Sequence, residues 1–379
     1  MRVVIAPNAL KGSLTALEAS LAIARGLRAA DASVELVSVP IADGGDGTSA
    51  VLSAAKNGVI RETIVPDPLG RPMRASFALL DEGRTAVLDV ATASGITLLQ
   101  SHERDPLFCS SRGSGKLIST ALDAGVETVI IGVGGSATVD GGAGLLAALG
   151  VGLLDEKGTP ISSGGAGLAR LSHIDLSRIH PALGRVKLRV ACDVDSPLLG
   201  PSGAAVAFGP QKGAGPEAVL ELEQNLAHYA DVIERTTGRD VRYVTSAGAA
   251  GGIAAGLFGV LGATLEAGID LVLEAVGFEQ ALSGADVVIT AEGLLDRQSL
   301  RNKGPWGVAR WSKRRQVPVL ALVGGIADDV RPADFPEFAG IFSICRRPVP
   351  LEEARQHAAD WLEATAETAL RVLLHGKPR

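Results

Sequence analysis

The 379-residue sequence predicts an α/β fold, a doubly wound parallel sheet of five strands interrupted by a second, inserted α/β domain. Three observations predict it. Apolar runs alternate with helical patterns at both ends of the chain. From about Ile60 the texture changes to alternating runs separated by Asp/Pro/Gly turns, the mark of antiparallel strands. Polar, Gly-rich stretches stand directly after the runs of the first kind, where open α/β sheets bind ligands. The expected division is residues 1–60 with 283–379 for the parallel sheet and 61–282 for the insertion.

Val3 to Ala6 reads as a strand, and Pro7 to Ser13 turns from it into a helix. Thr15 with Glu18 is a capping box, and Leu14, Leu17, Leu21 and Leu27 form the apolar face. Lys11, Gly12 and Ser13 then stand at a helix N-terminus, where an anion is welcome; otherwise Lys11 is a solvated loop lysine. A strand over 34–39 runs into IADGGDGT, residues 41–48, which sets Asp43 and Asp46 among three glycines. Glycine lets backbone N–H groups approach a ligand. Carboxylates there repel a bare phosphate and suit a cation that phosphate oxygens share, unless the stretch is only an Asp-capped turn.

In the insertion, strands are expected over 62–65, 75–80 and 85–90, followed by a helix near 115–124 and a strand over 128–133. Next comes GVGGSATVDGG, residues 132–142. A strand over 187–192 ends in Asp193-Val194-Asp195, whose carboxylates face one way in an extended chain and can share a cation. Gln211 and Lys212 sit between glycines ahead of a helix over 217–235. Tyr243 to Leu265 is free of charge, yet its glycines and alanines make a poor membrane span and suit an element packed closely on other backbone. The last strands cover 286–290, 317–323 and 340–344. The first of them ends in Ala291 to Ser299, which holds Glu292, Asp296 and Gln298. Pro305 starts a helix, and 351–374 reads as one amphipathic helix with Leu351, Ala354, Ala358, Trp361, Leu370 and Leu373 on one side.

A net charge of −6 and 3% aromatic residues argue against a nucleic-acid binder. Three dispersed cysteines without a CxxC point to a reducing compartment and no structural zinc. With too short an apolar run at the N-terminus for a signal peptide, the expectation is a soluble, cytoplasmic protein acting on a small molecule. No nucleic-acid or membrane partner is expected, and a homodimer is left open.

Walker A is missing; Gly113-Ser114-Gly115-Lys116 is the nearest approach. Gly132-x-Gly134-x-x-Ala137 with Asp155 fits the loose dinucleotide fingerprint, which makes an NAD(P)-dependent oxidoreductase of a small hydroxy acid the rival reading. All six histidines lie outside the Gly-rich clusters and there is no G-x-S-x-G, against Ser-His-Asp hydrolysis. The clusters offer Asp, Lys, Ser/Thr, Gln and bare backbone, an inventory that suits Mg²⁺-assisted phosphoryl transfer.

Six stretches together resemble the type I glycerate kinases, the glycerate 2-kinase family distinct from P-loop kinases. They are APNALKGSL, PIADGGDGT, GGSATVDGGAGLLAALG, ACDVDSPLLGPSGAAVAFGPQKGA, SAGAAGGIAAGL with AGIDLVLE, and ITAEGLLDRQSL followed by Lys303. The resemblance implies a flavodoxin-like domain with a second α/β domain inserted, an active-site cleft between them, and phosphorylation of D-glycerate by ATP with Mg²⁺, typically to 2-phosphoglycerate. A kinase of this fold for a different small 2-hydroxy acid is the variant reading. Departures from the family pattern fall at Asn8, Ala9 and Leu10, at Val139, and at Leu294, which replaces an arginine able to grip a carboxylate or phosphate.

Under this resemblance, Lys11 with Gly12 and Ser13 would bind a phosphate or the acid's carboxylate. Glu292, Gln298 and Lys303 would join them on the substrate. Asp193 and Asp195 would ligate Mg²⁺ or deprotonate the hydroxyl, with Asp43 and Asp296 as the second pair and Asp46 as a further metal ligand. Gly134, Gly135, Ser136, Thr138, Gly141 and Gly142 would cradle nucleotide phosphates, and Gln211 and Lys212 would neutralise the transferring group.

Overall fold

The computed structural model describes residues 1–375 apart from 46, 298 and 300–302. The chain divides into two compact units, Met1–Asp43 with Ile269–Arg379, and Gly44–Gly268.

The first unit is built on five parallel strands in the spatial order Gly340–Ser343, Val319–Ile326, Val287–Leu295, Arg2–Ile5, Glu35–Ser38. In chain order this is 2-1-3-4-5, the flavodoxin-like arrangement. Each strand falls on one of the five expected apolar runs. Val3 and Ile5 face one layer with Ile23, Leu27 and Leu362, while Val4 faces the other with Ile269, Phe278 and Val308. Helices on both faces of a parallel sheet are the reason its central strands read as unbroken apolar runs.

Helix Ala16–Ala30 opens with the expected capping box: the Thr15 hydroxyl accepts from the Glu18 N–H at 3.2 Å, and the Thr15 N–H donates back to Glu18 at 2.8 Å. Only part of the leucine face is buried: Leu27 is in the core and Leu14 packs against it. Leu17 and Leu21 are exposed, whereas Ala19, Ala22, Ile23, Gly26 and Leu27 are buried. A Cβ on Gly26 would lie 2.0 Å from the carbonyl oxygen of Glu363. Small residues therefore let this helix approach Ala358–His375 more closely than leucines would. The expected helix over 351–374 also divides, into Leu351–Gln356 and Ala358–His375, and Leu351 is exposed.

The second unit holds a six-stranded sheet, in the order Thr264–Ala267, Lys187–Cys192, Thr128–Gly132, Thr85–Asp89, Pro72–Leu80, Val59–Pro66. The first four run parallel and the last two pairings are antiparallel. Gly152–Leu154 pairs with His173–Asp175 as a small separate hairpin that the pattern did not reveal. The uncharged stretch forms helix Ala249–Leu261, which packs directly on neighbouring backbone. A Cβ on Gly251 would meet the Thr138 carbonyl oxygen at 1.9 Å, and one on Gly256 would meet that of Gly141 at 2.3 Å. No described helix is long and apolar enough to cross a membrane.

The seams fall at 43/44 and 268/269, not at 60/61 and 282/283. Helix Thr48–Ala55 packs on strands Pro72–Leu80 and Thr85–Asp89, and Asp89 accepts from the Ser49 N–H and hydroxyl, the latter at 2.7 Å. At the other seam, Ile269 and Leu273 enter the core of the first unit.

Candidate active site

In the first unit the polar residues gather at the carboxyl ends of two neighbouring strands. The Asn8 N–H donates to the carbonyl of Ala291 at 2.9 Å, which lays the segment after Arg2–Ile5 along the end of Val287–Leu295. The Asn8 amide reaches Asp43 at 3.3 Å. One step beyond Ala291, the Glu292 carboxylate accepts from the Ser299 hydroxyl at 3.3 Å, and Asp296 accepts from the Ser299 N–H at 2.9 Å. Burial first, and then the charge of Asp43, push the Glu292 carboxyl up to about 8, with Lys303 acting the other way. The charge of Asp296 adds to the rise.

The turn over Leu10 to Leu14 borders this cluster, since a Cβ on Gly293 would lie 3.2 Å from the Lys11 backbone nitrogen. Lys11 is exposed, and Gly12 adopts φ +80°, which favours glycine. Ser13 corrects the sequence reading. Its N–H and its hydroxyl both go to the carbonyl of Leu10, at 2.8 and 3.1 Å, so it closes the turn and offers no N–H to an anion. Asp46 and Gln298, expected metal and substrate ligands, lie outside the described residues.

The second unit holds a different kind of centre. Lys212 is buried, and its Nζ donates to the Ser136 hydroxyl and to the Thr138 carbonyl, both at 2.8 Å. Burial brings its amine down to about 7, against the charges of Asp140, Cys109 and Asp193. Gln211 beside it is exposed, so the two expected partners point opposite ways. Asp140 is fully buried and accepts from the Ser111 N–H (2.9 Å), the Ser111 hydroxyl (2.8 Å), and the N–H groups of Gly142 (3.0 Å) and Gly144 (3.2 Å).

These bonds reassign the Gly-rich loop. The Gly141 N–H goes to the carbonyl of Gly251 at 3.0 Å and that of Gly142 to Asp140, so neither is left for a phosphate. A Cβ on Gly141 would strike Tyr229 at 2.5 Å; this glycine pair serves close packing. Thr138 is buried, with its Oγ1 lacking a partner among the described residues. Gly134, Gly135 and Ser136 differ. Among the described residues their N–H groups make no hydrogen bond, Gly135 is exposed at φ +67°, and Lys212 stands behind them. Such a run of free N–H groups suits an anion.

Asp193, half-buried, and Asp195, exposed, follow strand Lys187–Cys192, whose neighbour ends at Gly132. Among the described residues no three His, Cys, Asp or Glu gather to hold a metal unaided. Mg²⁺ needs only one or two carboxylates when phosphates and waters complete its shell. Asp89, not singled out in the sequence, also ends a strand at this sheet edge, where it accepts from Ser49. The dinucleotide fingerprint does not hold: no helix opens until Ala143, and Asp155 accepts from its own turn at Lys157 and Thr159.

A flavodoxin-like sheet with an inserted α/β unit, carrying an acid cluster on one unit and an anion-ready glycine loop on the other, defines an α/β enzyme of small anionic substrates. The chain belongs to the glycerate kinase family, whose sequence model matches residues 3–374. A glycerate kinase of Bacillus subtilis (strain 168) is 48% identical over 366 residues, 97% of this chain and 96% of the relative. The glycerate 2-kinase of Escherichia coli (strain K12) is 44% identical over 360 residues, covering 95% and 94%. A crystal structure from Salmonella typhimurium LT2, described as a candidate glycerate kinase 2, superimposes with a TM-score of 0.88 at 41% identity, covering 99% of each chain. The chain is accordingly a phosphotransferase that phosphorylates a hydroxyl of glycerate, and the oxidoreductase reading falls.

Proposed function

We propose that the enzyme transfers the γ-phosphoryl group of ATP, with Mg²⁺, to the 2-hydroxyl of D-glycerate, giving 2-phosphoglycerate and ADP. The observation that carries this reading is Glu292, an acid poised at about 8 beside Asp43 and the Ser299–Asp296 pair. A general base works best with a pKa near the operating pH. Glu292 takes the proton of the attacking hydroxyl, whose oxygen bonds to the γ-phosphorus as the bond to the β,γ-bridging oxygen breaks. Lys11 holds the acid's carboxylate. The N–H groups of Gly134, Gly135 and Ser136 hold phosphate oxygens, and Lys212 braces that loop through Ser136. Asp193 and Asp195 would hold Mg²⁺, which when bound neutralises phosphate charge. The E. coli relative, named as a glycerate 2-kinase, supports the 2-position.

The test couples D-glycerate, ATP and Mg²⁺ to enolase, which dehydrates 2-phosphoglycerate but not 3-phosphoglycerate. Phosphoenolpyruvate formed without a mutase is the expected result. ADP release with no phosphoenolpyruvate overturns the 2-position, and no ADP release on adding Mg²⁺ overturns the ATP and metal assignment.

A further inference from the structure

The proposed function leaves the acid's carboxylate with a single flexible lysine. A point charge on a four-carbon stem fixes orientation poorly, whereas a guanidinium grips a carboxylate with two parallel bonds. The end of strand Val287–Leu295 supplies no such group, because Leu294 is an exposed leucine.

Helix Leu351–Gln356 supplies one. A Cβ built on Gly12 would lie 3.2 Å from Cζ, Nε and Nη2 of Arg355 alike, so the guanidinium lies flat over this glycine, next to Lys11. Its Nη1 is turned toward Glu352, at 3.6 Å between two exposed side chains, a contact worth little. Nε and Nη2, the edge that a carboxylate takes bidentately, are the atoms at the turn. The two cations complement the acid cluster: Asp43 and Asp296 put negative charge around Glu292, with Lys303 against it, while Lys11 and Arg355 put positive charge at the bordering turn.

We infer that Arg355 is a specificity-determining residue of the acid site, gripping the substrate's carboxylate over Gly12 together with Lys11. This rests on the reading that the cluster around Glu292 takes the acid. The site then selects 2-hydroxy acids over neutral polyols, and presents the hydroxyl end to Glu292.

The test compares the wild type with Arg355→Ala and Arg355→Lys, measuring KM for D-glycerate and for ATP, turnover of glycerol against glycerate, and protection from heat by D-glycerate alone. Arg355→Ala should raise the glycerate KM by about 10- to 100-fold with the ATP KM within about twofold, and should narrow the preference for glycerate over glycerol. Arg355→Lys should recover only part of the loss. An unchanged glycerate KM in Arg355→Ala overturns the inference. So does a parallel rise in both KM values with a lowered Tm, which marks a structural role. Heat protection separates this inference from the reaction: glycerate that protects the wild type but not Arg355→Ala upholds the inference even where no phosphoryl transfer is seen, and equal protection of both overturns it.

Discussion

Asp140 and Glu292 are both carboxylates embedded at strand-end loops, one in each unit, and they are provided for in opposite ways. Asp140 receives four donors, all within 3.2 Å. Among the described residues Glu292 receives one hydroxyl, at 3.3 Å, and it faces the charge of Asp43. The first is fully satisfied by the fold and holds Ser111 and the start of helix Ala143–Ala148 in place. The second has a single such donor among the described residues, and its carboxyl is pushed up to about 8. A buried carboxylate with its donors in place builds a scaffold, and a carboxyl whose value is pushed toward neutrality is a candidate for chemistry.

The largest effect that could break this contrast lies in turnover. Glu292→Gln should lower kcat by about 10²- to 10⁴-fold, the usual worth of a positioned base, without lowering stability. Initial rates and urea unfolding of the same preparation check it. A Gln variant with wild-type turnover would move the proton acceptor elsewhere. Asp140→Asn is the mirror experiment. It turns an NH₂ group toward donors, so unfolding in urea should become easier by about 2–4 kcal/mol. Loss of turnover at unchanged stability would instead place Asp140 in the chemistry.

The central strands of the first unit were legible in the sequence because burial on both faces writes itself as short apolar runs. The helix faces were less so. Leu17 and Leu21 outrank Ala19 and Gly26 on any hydrophobicity scale, yet the close approach to Glu363 favours the small residues. Gly141 and Gly142 look like a phosphate loop in one dimension, but helix Ala249–Leu261 and Tyr229 already press on them. Lys212 was visible as a lysine between glycines, not as a buried amine. Its burial depends on Ser136 and Thr138, far off in sequence. Glu292 owes part of its raised carboxyl to Asp43, from the other end of the chain. Arg355 had no signal at all, being one arginine off the apolar side of a helix that reads as amphipathic.

The smallest effect sharpens the comparison through pH. Glu292 holds its proton in the folded chain up to about 8, and in the unfolded chain only to its ordinary value near 4.5. Between those values the folded state binds more protons, so this group makes stability fall as pH rises. Lys212 behaves in the opposite way. The folded chain releases its proton above about 7, the unfolded chain near 10.5, and between those values its contribution rises with pH. A neutral amine has two N–H donors, enough for the Ser136 hydroxyl and the Thr138 carbonyl, so deprotonation leaves both bonds intact. Each group changes the slope by at most about 1.4 kcal/mol per pH unit. Unfolding free energies measured from pH 5 to 10 should therefore differ between wild type and Lys212→Met only by a rise above pH 7, missing in the variant. The difference between wild type and Glu292→Gln should be a fall below pH 8. Between 7 and 8 the two contributions oppose each other in the wild type, so a double variant should change that stretch least. A Lys212→Met curve parallel to the wild type over the whole range would show that the amine keeps its proton when folded, and would make it a permanent cation behind the glycine loop.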